Sequence, residues 1–141
     1  VPDAMTMEIE GLDELVKTFG KYFSDIDTSP ILFRAMAKIG KEVEAGAKDL
    51  LQEKIYNTPE GWYKRTGLLK ANTVSDEPVG GNKELSVIVR SKQYYAPYVE
   101  FGRGRMRARA FLLPAAQMKA DRATEIIKEA LREFLETKIT L

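Results

Sequence analysis

The sequence contains no cysteine and no histidine. The first absence excludes disulfides, thiolate nucleophiles and zinc–thiolate centres. The second removes the commonest general base and the commonest imidazole metal ligand. Carboxylates, lysine, tyrosine and hydroxyl side chains are what remains for catalysis. No run of eighteen apolar residues occurs, so the sequence offers no membrane-spanning helix. Val1–Met7 lacks an apolar h-region and does not read as a secretory signal. Neither sign of charge is in excess: 22 Lys and Arg stand against 21 Asp and Glu, a net charge of +1. Such a chain has no global field to recruit nucleic acid or a membrane surface.

What is present has the balance of an ordinary globular protein, 44% hydrophobic and 30% charged over 141 residues. That length suits one domain spanning 1–141. Residues 1–6 are expected to be disordered or foreign to the natural chain, because Met5 and Met7 follow a short atypical stretch.

Met7–Glu10 alternates too briefly for more than an edge strand. Leu12, Leu15, Val16, Phe19 and Phe23 recur at helical spacing and predict a short amphipathic helix. Thr28 or Ser29 can cap a second helix, with Pro30 suited to its first turn. The row Leu32, Met36, Ile39, Val43, Ala47 and Leu50 predicts that helix from about Ile31 to about Tyr56. Gly40 and Gly46 inside it cost about 1 kcal/mol each relative to Ala, so they are expected at close contacts or at a bend. Residues 57–67 read as a loop. Strands are expected from Leu68 or Leu69 to Val74, over Glu84–Ser91 and over Tyr94–Phe101, with Pro78–Asn82 as a hairpin connection. Pro97 marks the last strand as an edge or a bulge. Phe111 and Leu112 are expected to anchor a carboxy-terminal helix, with Leu113 and Pro114 setting its entry. The segregated order implies an α+β fold: an antiparallel sheet of three to four strands packed against a long central helix, with a short amino-terminal helix and a carboxy-terminal helix.

Asp121, Glu125, Glu129 and Glu133 are spaced by four on the last helix. Di-metal bundles use acids at such offsets together with histidine, which is absent. Arg122, Lys128 and Arg132 lie among them, so a charge-paired surface is the better reading. No metal or cofactor is implied, and a carboxylate-dependent hydrolase is the weakest of the functional readings. Gly102-Arg103-Gly104 lacks the residues of a phosphate-cradling loop. Arg103, Arg105, Arg107 and Arg109 lie near Tyr94, Tyr95, Tyr98 and Phe101, a combination that can hold single-stranded nucleic acid. On a nearly neutral protein it is a weak footprint. Trp62 and Tyr63 read either as a core plug or as an interface anchor. Gly102–Ala108 has two glycines, three arginines and no acid, so it is expected to be mobile alone and to order on a partner bearing carboxylates or phosphates. Glu100 and Gly102 would fix its departure. Acids on the last helix and arginines on this loop separate the signs, as suits subunits repeating about an axis.

The stretch Tyr95-Ala96-Pro97-Tyr98-Val99-Glu100-Phe101-Gly102, followed by Arg107-Ala108-Arg109-Ala110-Phe111-Leu112-Leu113-Pro114-Ala115, is specific. It resembles the tail-completion, or minor tail component, family of long-tailed bacteriophages and prophages. Ile9-Glu10-Gly11-Leu12-x-Glu14-Leu15, the long Ala/Lys/Glu helix and Thr66-Gly67-x-Leu69 agree in order. Ala110 stands where that family usually has Pro, and Leu68–Ala71 lacks the Arg and Ser often seen there. The resemblance implies a structural virion protein that completes or joins the tail at its head-proximal end by oligomeric assembly. Its implied partners are itself, in a ring built from monomers, and other tail or neck proteins. Its implied location is the virion tail or neck, and the host cytoplasm during assembly. It implies no catalysis and no membrane partner. On this reading Glu100, Gly102, Arg103, Arg105, Arg107 and Arg109 form the candidate assembly loop, and Tyr98, Phe101, Phe111 and Pro114 are motif residues that pack. The alternative is a nucleic-acid-binding module using 103–109, touching DNA where the genome passes the ring.

Overall fold

Among the described residues, Ser29 starts the longest helix. Its backbone is extended and its Oγ accepts from the Leu32 amide at 3.4 Å, while Pro30 occupies the first helical position, where no N–H is needed. In the computed structural model, which describes residues 4–6, 29–57, 67–81, 84–105 and 107–139, this helix is α1 (Pro30–Leu51). It continues into one π-helical turn, Gln52–Tyr56. The expected central helix is therefore present, capped by Ser29 rather than Thr28. The predicted helix Leu12–Phe23, the lead-in Met7–Glu10 and most of the loop 57–67, with Trp62 and Tyr63, lie outside the described residues.

The rest of the fold is arranged along the two halves of α1. Leu32, Ala35 and Ile39 of its first half join Ala123, Ile126, Ile127, Ala130, Leu131 and Phe134 in one apolar cluster. Those partners belong to α5 (Ala120–Ile139). Val43, Ala47, Leu50 and Leu51 of the second half join Leu69, Val89, Ala96, Val99, Phe111, Leu112 and Ala115 in another. Leu112 and Ala115 lie on α4 (Leu112–Met118), separated from α5 only by a turn at Lys119. Both glycines of α1 sit at close contacts, as their cost suggested. A Cβ on Gly40 would lie 2.8 Å from Val87 Cγ2 and 3.1 Å from Ser75 Cβ; one on Gly46 would lie 3.2 Å from Lys119 Cε.

The strands are short: β1 (Ala4–Thr6), β2 (Thr73–Ser75), β3 (Val79–Gly81), β4 (Glu84–Ser86) and β5 (Ile88–Ser91). The fold is α+β with antiparallel pairing, but its strands divide between a three-stranded sheet and a separate two-stranded one instead of forming a single sheet. β1 and β2 flank β5 in one ladder, and β3 pairs only with β4 in a second. Pro78, which has no N–H to offer a ladder, separates β2 from β3. Ala4–Thr6, expected with the rest of 1–6 to be disordered or foreign, is extended and runs antiparallel to β5 with Met5 opposite Val89.

One expected strand is helical in its first half, and another is helical where a strand was expected throughout. Leu68–Ala71 forms a single turn, α2, entered through Gly67 at φ 78°, and strand structure starts only at Thr73. The Thr73 hydroxyl donates back to the Leu69 carbonyl at 2.7 Å. Tyr94–Phe101 is a turn followed by α3 (Ala96–Phe101), in which Ala96, Val99 and Glu100 are buried. That spacing of three and four is helical, and Pro97 falls in the first turn, where its missing N–H costs nothing.

Candidate functional site

α3 is the platform from which the arginine loop leaves and to which it returns. The amide of Gly102 donates to the Tyr98 carbonyl at 2.8 Å, closing the helix. Gly102 then turns the chain out at φ 79°, a backbone setting that favours glycine. After the loop, the Arg109 amide donates to the Val99 carbonyl at 2.7 Å. Departure and return are thus bonded to neighbouring carbonyls of one short helix.

The return is held further by side chains. Glu100 is 4% exposed, and its carboxylate accepts from three successive amides. Oε1 takes Phe111 at 3.0 Å and Leu112 at 2.8 Å, and Oε2 takes Leu113 at 3.3 Å. These are amides at the start of α4, which have no partner within their own helix, and a carboxylate suits them by charge as well as by geometry. Lys54, in the π-helical turn, donates from Nζ to the Ala110 carbonyl at 2.7 Å.

Arg103, Arg105, Arg107 and Arg109 are all exposed. Arg103 lies over the Tyr98 ring, its guanidinium carbon 4.5 Å from the centroid, a cation–π contact. No ion pair joins any of the four to an acid among the described residues. Tyr94 and Tyr95 meet edge to face at 5.4 Å. Burial, with smaller contributions from Tyr56 and then Tyr94, raises the Tyr95 hydroxyl above its ordinary range.

Several sequence expectations change here. Glu100 is not at a strand end and not on the surface beside the arginines: α3 turns it inward onto backbone amides. Phe101 does not pack, being 62% exposed, because the same helix turns Ala96, Val99 and Glu100 to the core. Phe111 is fully buried, Pro114 is half-buried within α4, and Tyr98 is half-buried beneath Arg103. Sequence reasoning missed Lys54, which sits in the π-helical turn and bonds Ala110 across the chain, a contact that spacing along the helix does not signal. On α5, Asp121, Glu125, Glu129 and Glu133 are exposed, and Arg122 pairs with Glu125 at 3.1 Å. Among the described residues no three acids gather where they could hold a metal.

The family model described as "Bacteriophage HK97-gp10, putative tail-component" matches residues 13–102. No curated protein and no solved structure gives a match. The matched stretch covers well over half of the chain, including α1, all strands after β1, α3 and Gly102 at the mouth of the loop. It lends no support to a nucleic-acid-binding role for 103–109. The chain belongs to the HK97-gp10-like family of phage tail components.

Proposed function

We propose that this tail component completes or joins the tail at its head-proximal end by assembling into a ring with copies of itself, and that the arginine loop is a docking element of that ring. The observation that carries the reading is the loop: four exposed arginines on a segment bonded at both ends to α3, with no described acid to neutralise them. Arginine is enriched at protein interfaces and forms paired, charge-assisted bonds with carboxylates. Phe101 and Leu113, at the two ends of the loop, are exposed and add apolar surface for a protein partner. A ring interface joins two different faces of the same subunit, and the exposed acids of α5 supply carboxylates that such an interface can pair with the arginines. Neighbouring tail or neck proteins are the other partners. Catalysis has no part in this role. Among the described residues no helix is long and apolar enough to cross a membrane.

The test is Arg103→Ser/Arg105→Ser/Arg107→Ser. Exposed side chains change stability by about 0.5 kcal/mol or less each, and the Arg103–Tyr98 contact adds about 0.5–1 kcal/mol, so the melting temperature should fall only slightly while ring formation or tail joining fails. Normal assembly into infectious particles would remove the loop from this role. A salt titration against DNA separates the other reading, since counterion release would give binding a steep salt dependence; a shallow or absent dependence is expected.

A further inference from the structure

Lys54 and Glu100 act on the same peptide group. The Ala110 carbonyl, which receives Lys54 Nζ at 2.7 Å, and the Phe111 amide, which donates to Glu100 Oε1 at 3.0 Å, are the two ends of the one peptide unit joining residues 110 and 111. That unit is trans, so its two polar groups point in opposite directions. A cation grips the negative end of the peptide dipole and an anion grips the positive end. Each bond polarises the group in the sense that strengthens the other. Glu100 goes on to take the next two amides, and no cation among the described residues pairs with it.

We propose that Lys54 and Glu100 form a clamp that positions the arginine loop: neither touches the partner, and together they lock the loop's return end, and the first turn of α4, onto the π-helical turn after α1 and onto α3. The clamp deepens the assembly reading above and rests on it for its biological purpose. With the Gly102 and Arg109 bonds it confines the loop to 103–108. Each residue that a partner must order costs docking free energy, so a loop held to this length docks more tightly than one whose return end is loose.

The experiment uses the full chain as wild type, Glu100→Gln, Lys54→Met and the double variant. Amide hydrogen exchange is followed across 99–113 well below each melting temperature, beside the concentration dependence of self-association. Losing one charge-assisted bond of this kind should speed exchange at Phe111, Leu112 and Leu113 by about tenfold or more. The Arg103–Arg109 amides should speed up with them, and association should weaken by about tenfold. The double variant should show less than the product of the single effects, because both residues act on one peptide unit. Faster exchange confined to 111–113, with the loop and association unchanged, would reduce Glu100 to a helix cap and overturn the clamp. If Glu100→Gln does not fold, Lys54→Met, which leaves the three Glu100 bonds in place, is judged on the same loop amides. If the wild-type chain neither self-associates nor joins tails, the assembly reading falls, while the exchange data decide the clamp separately.

Discussion

Gly40 and Gly46 are both buried glycines of one helix, yet their surroundings assign them opposite sensitivities. At Gly40 an added methyl would press on Ser75 Cβ and on Val87 Cγ2, the first next to strand backbone that α1 itself packs against. The helix-propensity gain of about 1 kcal/mol is outweighed by overpacking of about 1–3 kcal/mol. Gly40→Ala should therefore destabilise, by up to about 2 kcal/mol in denaturant unfolding. At Gly46 the nearest atom belongs to the flexible Lys119 side chain, which can move aside, so Gly46→Ala should be neutral or stabilising by up to about 1 kcal/mol. Tyr95 supplies the pH dependence. Its folded pKa lies above the unfolded one because burial, then Tyr56 and Tyr94, disfavour the phenolate. Its contribution is fully present below about pH 10, the unfolded value, and is lost as pH rises through the folded value. Tyr95→Phe should flatten the alkaline fall in stability, read from unfolding curves on either side of about pH 10.

Among the elements, α1 was legible because a long apolar row follows the capping Ser29 and the Pro30 suited to a first turn. The shorter elements were not, for three different reasons. α2 is a single turn and has no length over which a period can show. In Tyr94–Phe101 nearly every position is apolar or aromatic, so inward and outward faces look alike, and Pro97 fits an edge strand as well as a helix start. Along Glu84–Ser91 the alternation runs on while the ladder partner changes from β3 to β2 and β1 at Val87, a change of neighbour that side-chain polarity does not record. The arginine loop was recognisable by composition; that Glu100 serves backbone amides instead of a partner was not, because the reading depended on α3 being a strand. Helix and sheet are also joined by a bolt that spacing hides: Glu44 Oε1 accepts from the Ser75 amide at 2.8 Å, with Lys41 and Lys48 at its carboxylate. Glu44→Ala should cost about 1–2 kcal/mol and raise hydrogen exchange at Ser75 more than elsewhere in β2.

For the whole molecule, the family match stops at Gly102 but the apolar clusters do not. Phe111, Leu112 and Ala115 complete the cluster on the second half of α1, and α5 supplies most of the cluster on the first half. A chain cut after Gly102 would leave Leu32, Ala35 and Ile39 without the helix they pack on. It should show no cooperative thermal transition by circular dichroism; a sigmoidal transition near that of the full chain would mean that the matched stretch folds by itself.

The hydrogen bond from the Arg109 amide to the Val99 carbonyl also has an evolutionary side. It closes the chain on itself beneath 103–108, so that what lies above it can change length without the helices below having to shift. Closing a loop of twice the length costs only about 0.6 kcal/mol more. Insertions there cost the fold little, and the sequence of this loop can change while the scaffold stays the same. A short peptide tag spliced between Gly104 and Arg107 is, by the same reasoning, the insertion this protein should tolerate best.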